Sequence, residues 1–150
     1  TSVYLGWDIT CMGLPSSEQL FTQGQYSQLN RVFVEGTLQY HDRIAVTAKN
    51  NVLHHPAGLA GNSVFATFLV YAPQQLNKSQ RKTAIAAMRA IVENNQAQKH
   101  ISITDIDGLL VIRYLGHHAE QCKKFFLLLW QIVRPLTVEK QATQPRIWYT

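Results

Sequence analysis

The sequence is poor in charged side chains. Lys, Arg, Asp and Glu make up 15% of its 150 residues, against roughly 25% in typical soluble domains. This deficit predicts that an unusual share of the surface is neutral or apolar and is covered by another surface. The charge that remains is basic, with 14 Lys and Arg against 9 Asp and Glu. It forms no Lys/Arg run of the kind that binds nucleic acid.

Cysteines and long apolar runs are also scarce. Cys11 and Cys122 lie far apart, and no signal-like segment leads the chain, so free thiols in a reducing compartment are expected. The longest strongly apolar stretch, 125–133, is interrupted by Gln131. It is far shorter than the roughly 20 residues that cross a bilayer as a helix. These absences predict a cytoplasmic protein without a membrane span.

Short apolar stretches between turn residues predict a mainly β chain. Alternating or continuous apolar residues bounded by Gly, Pro, Asn or Asp are typical of strands and hairpins. The pattern predicts two antiparallel hairpins and one buried strand between them. The first hairpin pairs 28–34 with 38–46 around the turn 35–37. The single strand is 64–72, before Pro73. The second hairpin pairs 101–103 with 109–115 around Asp107-Gly108.

Two helices are predicted, at about 77–95 and 117–133, which makes the fold class α+β. Asn77 followed by Gln80 resembles a capping box, and apolar residues recur behind it at helical spacing. The second helix has an apolar surface wider than one stripe, so it is deeply buried or covered by a partner. Pro135 is expected to end it, because the residue before a proline favours extended backbone.

No motif with catalytic or metal-ligand spacing is present. His54-His55 is expected in an extended segment and His117-His118 at a helix start, so the two side chains of each pair diverge and cannot simply chelate one ion. Surface or capping roles are favoured. Nothing in the sequence places a histidine beside Cys11, which favours a small buried thiol over a nucleophile. The glycines of 58–61 lack the rest of a P-loop and favour a tight turn.

Two charges are difficult to place on an ordinary surface. Asp8 lies inside an apolar strand and Arg113 in the middle of the run 109–115. A charge in a buried strand needs a partner, a water-filled channel or an interface. An inward ion pair or a position on an edge strand is the structural alternative. The last residues, 145–150, are too aromatic for a disordered end and are expected to pack back onto the fold.

Short motifs in a fixed order extend along essentially the whole chain. They are Gly6-Trp7-Asp8-Ile9-Thr10-Cys11-Met12-Gly13 followed by Pro15, Phe21 and Gly24, then Gly58-Leu59 to Gly61 and Ala66-Thr67, and finally Leu110-Val111-Ile112-Arg113-Tyr114-Leu115-Gly116, Leu129-Trp130, Arg134-Pro135 and Pro145-Arg146-Ile147-Trp148. As a set they resemble the UreD (UreH) family of urease accessory proteins. Two departures are Leu14, where the family commonly has Arg, and Glu18-Gln19, where a Gly-Glu pair is usual. No functional residue is carried over at these positions.

The resemblance implies that residues 1–150 are the C-terminal part of a single UreD-like domain. The N-terminal part of that domain would be missing, which agrees with a chain that begins at once as a strand. The implied architecture is solenoid-like, with stacked antiparallel or mixed sheets and two helices.

The function implied by the resemblance is that of a non-catalytic scaffold, or metallochaperone component, for nickel insertion into urease. Its expected partners are apo-urease, UreF and, through the activation complex, UreG, but neither nucleic acid nor membrane. Nickel would be in transit, with no tightly bound cofactor and no assigned metal ligand. The site residues expected on this basis are Asp8 for a polar interior channel, and Arg113, Arg134, Arg146 and Trp148 for shaping or contacting partner surfaces.

Three other functions remain open from the sequence. A hydrolase using Cys11 or a histidine requires a base within hydrogen-bond reach of the nucleophile. A basic nucleic-acid-binding module requires Lys and Arg gathered on one face. A plain structural β domain differs from the scaffold in having no obligate partner.

Overall fold

The computed structural model describes residues 2–14 and 17–149, which form eight strands, two α-helices and a terminal 3-10 helix. The strands are β1 Tyr4–Cys11, β2 Gly13–Leu14, β3 Gln19–Leu20, β4 Gln25–Val34, β5 Thr37–Thr47, β6 Val64–Tyr71, β7 Ile101–Ile106 and β8 Leu109–Gly116. The helices are α1 Lys78–Asn94 and α2 Ala119–Val138, and the 3-10 helix is Arg146–Tyr149.

A four-stranded antiparallel sheet in the order β1-β6-β8-β7 is the middle layer. Side chains alternate across it, as pleating requires. On β6, Val64, Ala66, Phe68 and Val70 face the helices, whereas Phe65 and Leu69 face the opposite side. Both faces of the sheet are therefore covered, which explains why β6 is a nearly continuous apolar run.

The helices cover one face of this sheet. The predicted capping box of α1 is confirmed, because the Asn77 side chain accepts from the Gln80 amide at 2.9 Å and the Gln80 side chain accepts from the Asn77 amide at 2.8 Å. Helix α2 buries one stripe against β1 and β6, including Cys122, Phe126 and Leu129. No helix in the described part of the chain is both long enough and apolar enough to cross a bilayer.

A long two-stranded ribbon, β4–β5, covers the other face. Tyr40 packs with Leu69, Leu109 and Val111 of the middle sheet. Near the other end of the ribbon, Val46 joins a second apolar cluster. Every strand pairing recorded in the described residues is antiparallel. The predicted hairpins, the mainly β class with stacked sheets and the two helices are confirmed.

The predicted end of α2 at Pro135 is wrong. The helix continues through Val138 with Pro135 inside it. Pro135 lacks the N–H that would bond to residue 131, but one further turn buries Thr137, which is 1% exposed. The Thr137 hydroxyl also donates to the Arg134 carbonyl at 3.1 Å. Continued packing therefore outweighs the local preference of proline.

The expected extended segment at His54-His55 is also wrong, because residues 52–61 form consecutive turns. The Leu59 amide donates to the Val52 carbonyl at 2.8 Å. A Cβ at Gly58 would overlap that carbonyl oxygen, so the tight turn predicted for these glycines is confirmed and requires glycine at this position.

Two further predictions from the sequence concern residues near the start of the chain. Cys11 was expected to be buried, but it is exposed because it ends β1, an edge strand of the sheet. The departures Leu14 and Gln19 pair with each other in the short β2–β3 ladder. Pro15, which belongs to the same motif, lies outside the described residues.

The two cysteines should differ sharply in reactivity. Burial, followed by the proximity of Cys11 and Asp8, raises the pKa of Cys122 to about 12, and the residue is 0% exposed. Because the thiolate is the reactive form, iodoacetamide at pH 8 should alkylate Cys11 rapidly and Cys122 only after unfolding in guanidinium. Peptide mass spectrometry separates the two sites. Equal labelling rates in the folded protein would contradict the buried position of Cys122.

Candidate functional site

The five predicted site residues lie in two separate places. Asp8 and Arg113 point into the layer between the middle sheet and the ribbon. Arg134 and Trp148 lie at the end of α2, on the helix side of the sheet. Arg146 is exposed in the terminal 3-10 helix beside Trp148. The structure therefore distributes these residues over two separate regions and does not gather them into one site.

Asp8 and Arg113 belong to one cross-strand row. Both are paired in register with Thr67 of β6, Asp8 from β1 and Arg113 from β8. Residues two strands apart are separated by roughly 10 Å, and the two charges do not pair with each other. Each is instead bound by the ribbon.

Side chains of the ribbon satisfy both charges. The amide of Gln28 donates to the Asp8 carboxylate at 2.9 Å. The Nη2 atom of Arg113 lies 3.3 Å from the Asp42 carboxylate and donates to the Tyr40 hydroxyl at 3.1 Å. Of the alternatives that the sequence left open, a partner from the second sheet explains both residues.

Electrostatics keep Arg113 charged. Burial alone would lower the pKa of its guanidinium, but the Tyr40 hydrogen bond and the Asp42 charge outweigh this, so the pKa lies above its usual value. Burial raises the pKa of Tyr40, although the bond from Arg113 opposes that rise. The Arg113 and Asp42 side chains are 51% and 35% exposed, so the ion pair contributes only about 0–1 kcal/mol to stability. Its main effect is to orient Arg113.

A cavity of about 780 Å³ opens beside this ion pair, between ribbon and sheet. Its polar lining includes Asn30, Asp42, His55, His100, Ser102 and Arg113. The Nδ1 atom of His100 lies 2.9 Å from the Leu115 carbonyl oxygen. Because a carbonyl only accepts, that nitrogen carries the proton, and Nε2 of the neutral ring keeps a lone pair. Among the described residues, no three His, Cys, Asp or Glu side chains come together as a metal site.

Asp42 and His100 of the cavity lining were not predicted from the sequence, and neither was Tyr40, which accepts the hydrogen bond from Arg113. Tyr40, Asp42 and His100 lack a local motif. Alternation along β5 places Tyr40 and Asp42 on the same face as buried Val46, and this pattern could have identified them as inward-facing polar residues. No comparable signal marks His100.

The second region is an aromatic cleft beside the terminal 3-10 helix, lined by Trp7, Trp130, Arg134 and Trp148. We name it the terminal cleft. The Trp148 ring packs against Trp7 and Trp130, with centroids 4.8 and 5.2 Å apart. The Lys123 ammonium donates to the Trp148 carbonyl at 2.7 Å. The predicted packing of the aromatic tail onto the fold is confirmed. A cavity of about 540 Å³, lined by these three tryptophans and Arg134, lies beside the cluster.

Arg134 has an unsatisfied donor at this cleft. Its guanidinium lies over the Trp130 ring, 5.1 Å from the centroid. Its Nε atom is buried and has no hydrogen-bond partner among the described residues. A buried N–H without a partner is unfavourable by about 1–3 kcal/mol.

The exposed thiol has no catalytic neighbour. Within residues 2–14 and 17–149, no histidine is hydrogen-bonded to Cys11. The base required for a cysteine nucleophile is therefore not in place.

Comparison with known proteins gives one consistent result. The sequence model of the family described as "UreD urease accessory protein" matches residues 1–149. A "Urease accessory protein UreD" from Psychromonas ingrahamii is 58% identical over 157 residues, covering 100% of this chain and 51% of that protein. Proteins of the same name from Methylobacillus flagellatus and Dechloromonas aromatica are 32% and 33% identical, with 99% of this chain and 50% of each relative covered. The chain thus spans about half the length of the curated relatives it matches.

Adjacent residues of the 3-10 helix should differ in their effect on stability. Trp148→Ala removes contacts with two tryptophans and should lower the free energy of unfolding by about 2 kcal/mol. Ile147→Ala should have little effect, because Ile147 is 74% exposed. Urea denaturation of the two variants measures the difference. Equal losses would show that Trp148 contributes no more to the core than its exposed neighbour.

Proposed function

The chain belongs to the UreD family of urease accessory proteins, and from this membership we propose that it supports urease maturation as a non-catalytic scaffold. In detail, the proposed complex contains apo-urease on one side and UreF on the other, with UreG joining through the activation complex. The membership is the observation that carries the proposal. The chain spans about half the length of these relatives. The proposal therefore concerns the activity of the whole protein.

Exposed residues near the terminal cleft support a role in partner binding. Arg146 is exposed, Ile147 is 74% exposed and Leu136, near the end of α2, is 42% exposed. Arginine beside exposed apolar side chains is typical of protein interfaces. Trp148 has a different role in this proposal, since it fixes the 3-10 helix that presents Arg146.

The inter-sheet cavity supports a second part of the proposal, the passage of nickel as cargo. Its lining offers the Asp42 carboxylate and the free Nε2 lone pair of His100, and oxygen and imidazole groups are suitable transient ligands for Ni²⁺. Asp8 lies in the same polar layer, as the interior-channel hypothesis requires. Passage through this layer remains a proposal, as does the role of Arg113 in shaping it.

Two sequence-based expectations belong to the same proposal. Residues 1–150 correspond to the C-terminal part of a longer UreD-like domain, and the protein works in the cytoplasm. The second is supported by both cysteines being unpaired, as a reducing compartment requires.

Loss of the exposed terminal residues should weaken partner binding without unfolding the protein. We expect Arg146→Ala combined with Ile147→Ala to reduce binding of apo-urease or UreF by about tenfold or more, because both side chains are available for contact. Pull-down with the full-length protein, followed by titration of each partner, measures this. Lys82→Ala with Leu20→Ala removes a matched exposed pair elsewhere and should bind normally.

The pull-down has two informative failures. Unchanged binding by the terminal variant would remove these residues from the interface while leaving the scaffold function intact. Absence of wild-type binding to both partners would overturn the scaffold proposal.

Obstructing the inter-sheet cavity should lower nickel delivery without preventing assembly. Ser102 lines the cavity on β7, whereas Thr104, two residues along the same strand, does not. Ser102→Trp should lower the nickel content of urease by about tenfold, because an apolar ring obstructs a polar passage. Thr104→Trp should deliver nickel normally. Metal analysis of urease matured with each full-length variant tests this, and normal loading with Ser102→Trp would show that nickel does not use the cavity.

A further inference from the structure

The ribbon presents a second face, directed away from the middle sheet. Alternation along β4 and β5 turns Leu29, Arg31, Phe33, His41 and Arg43 outwards, and the register shift after Val32 places Leu38 opposite Phe33 on the same face. We name this set the outer ribbon face. Leu29, Phe33 and Leu38 are 44%, 57% and 47% exposed. Each strand is about 34 Å long by the usual rise per residue, so the face is long enough to form a substantial part of a protein interface.

The charge on this face has one sign. Arg31 lies opposite His41, and Arg43 lies opposite Leu29, so the two arginines are diagonal neighbours, about 7–8 Å apart. Asp42 points to the middle sheet, where it binds Arg113, and Glu35 lies in the turn at the tip. In the described part of the chain, neither Arg31 nor Arg43 forms an ion pair. The like charges therefore lack a local counter-charge.

The apolar part of the face lies at one end. Phe33 is paired with Leu38 immediately after a register shift in the ribbon. An aromatic side chain next to arginines is a combination that is enriched at protein interfaces. Isolated exposed apolar residues are common, but here three of them share one face with the unneutralised cations.

Charge also distinguishes between possible occupants. A second copy of the chain using the same face would bring Arg31 and Arg43 against their equivalents, and the chain carries a formal charge of +5. Like charges placed together across an interface repel each other. An acidic surface, in contrast, would neutralise both arginines.

We propose that the outer ribbon face is a docking surface for an acidic protein surface. Asp and Glu carboxylates of the partner bind Arg31 and Arg43, while Phe33 and Leu38 contact an apolar patch beside them. This inference rests on the proposed function, in which apo-urease and UreF bind the protein, and assigns one of those contacts to the ribbon.

Charge reversal on the ribbon tests the proposal. The variant is Arg31→Glu with Arg43→Glu in the full-length protein, and the probes are purified apo-urease and UreF, titrated separately at low and high NaCl. Lys82→Glu with Lys124→Glu is the matched control, since it makes the same charge change at exposed positions on the helix side. We expect the ribbon variant to lose affinity for one partner by about tenfold or more at low salt, while the control changes by less than about twofold. Arg31→Lys with Arg43→Lys should retain most of the affinity.

Each contrary result identifies what failed. Equal loss in the ribbon variant and the control would show only a diffuse effect of net charge and would overturn the inference. Unchanged binding by the ribbon variant would overturn it while leaving the proposed function intact. A ribbon variant that unfolds or aggregates when the control does not would show that another part of the same protein covers this face. Failure of the wild type to bind either partner would overturn the proposed function and this inference together.

Discussion

The two buried faces of strand β6 determine the rest of this structure. One face supplies Phe68 to the aromatic cluster under α2, and the other supplies Leu69 to the contact with the ribbon. On the ribbon face of the same strand, Thr67 is 7% exposed and is flanked in register by Asp8 and Arg113. A single eight-residue strand therefore joins the helix layer to the ribbon. Both candidate sites depend on it, since each is built on one of its faces.

The polar row explains why ribbon and sheet do not close on each other completely. Apolar clusters hold the ribbon near Tyr40 and near Val46, whereas the region between them contains charged and amide side chains. Polar groups are buried only with partners, so Gln28 is required to face the half-buried Asp8. Asp42 orients Arg113, whose side chain is 51% exposed. The remaining space is the cavity of about 780 Å³, which keeps water-accessible volume inside an otherwise layered fold.

Local signals explain how much of this could be predicted from the sequence. The capping box at Asn77 and the turn at Asp107-Gly108 depend on residues close in the chain, and both were predicted. The end of α2 was not, because burial of Thr137 depends on tertiary packing. Likewise, Arg113 was recognisable as a charge needing a partner, but its partner Tyr40 lies 73 residues away. Pairing over that distance depends on the stacking of two sheets, which single-sequence patterns do not encode.

The C-terminal motif Pro145-Arg146-Ile147-Trp148 shows why a resemblance cannot assign roles by itself. Sequence alone grouped Arg146 and Trp148 as partner-binding residues, yet the 3-10 turn directs their side chains differently. Trp148 contacts Trp7 and Trp130, whereas Arg146 is exposed. Substituting both at once would confuse loss of packing with loss of a contact surface. Trp148 therefore holds the terminus in place, whereas Arg146 is presented to solvent by it. Of the two, only a substitution of Arg146 can test partner binding without also disturbing the packing of the terminus.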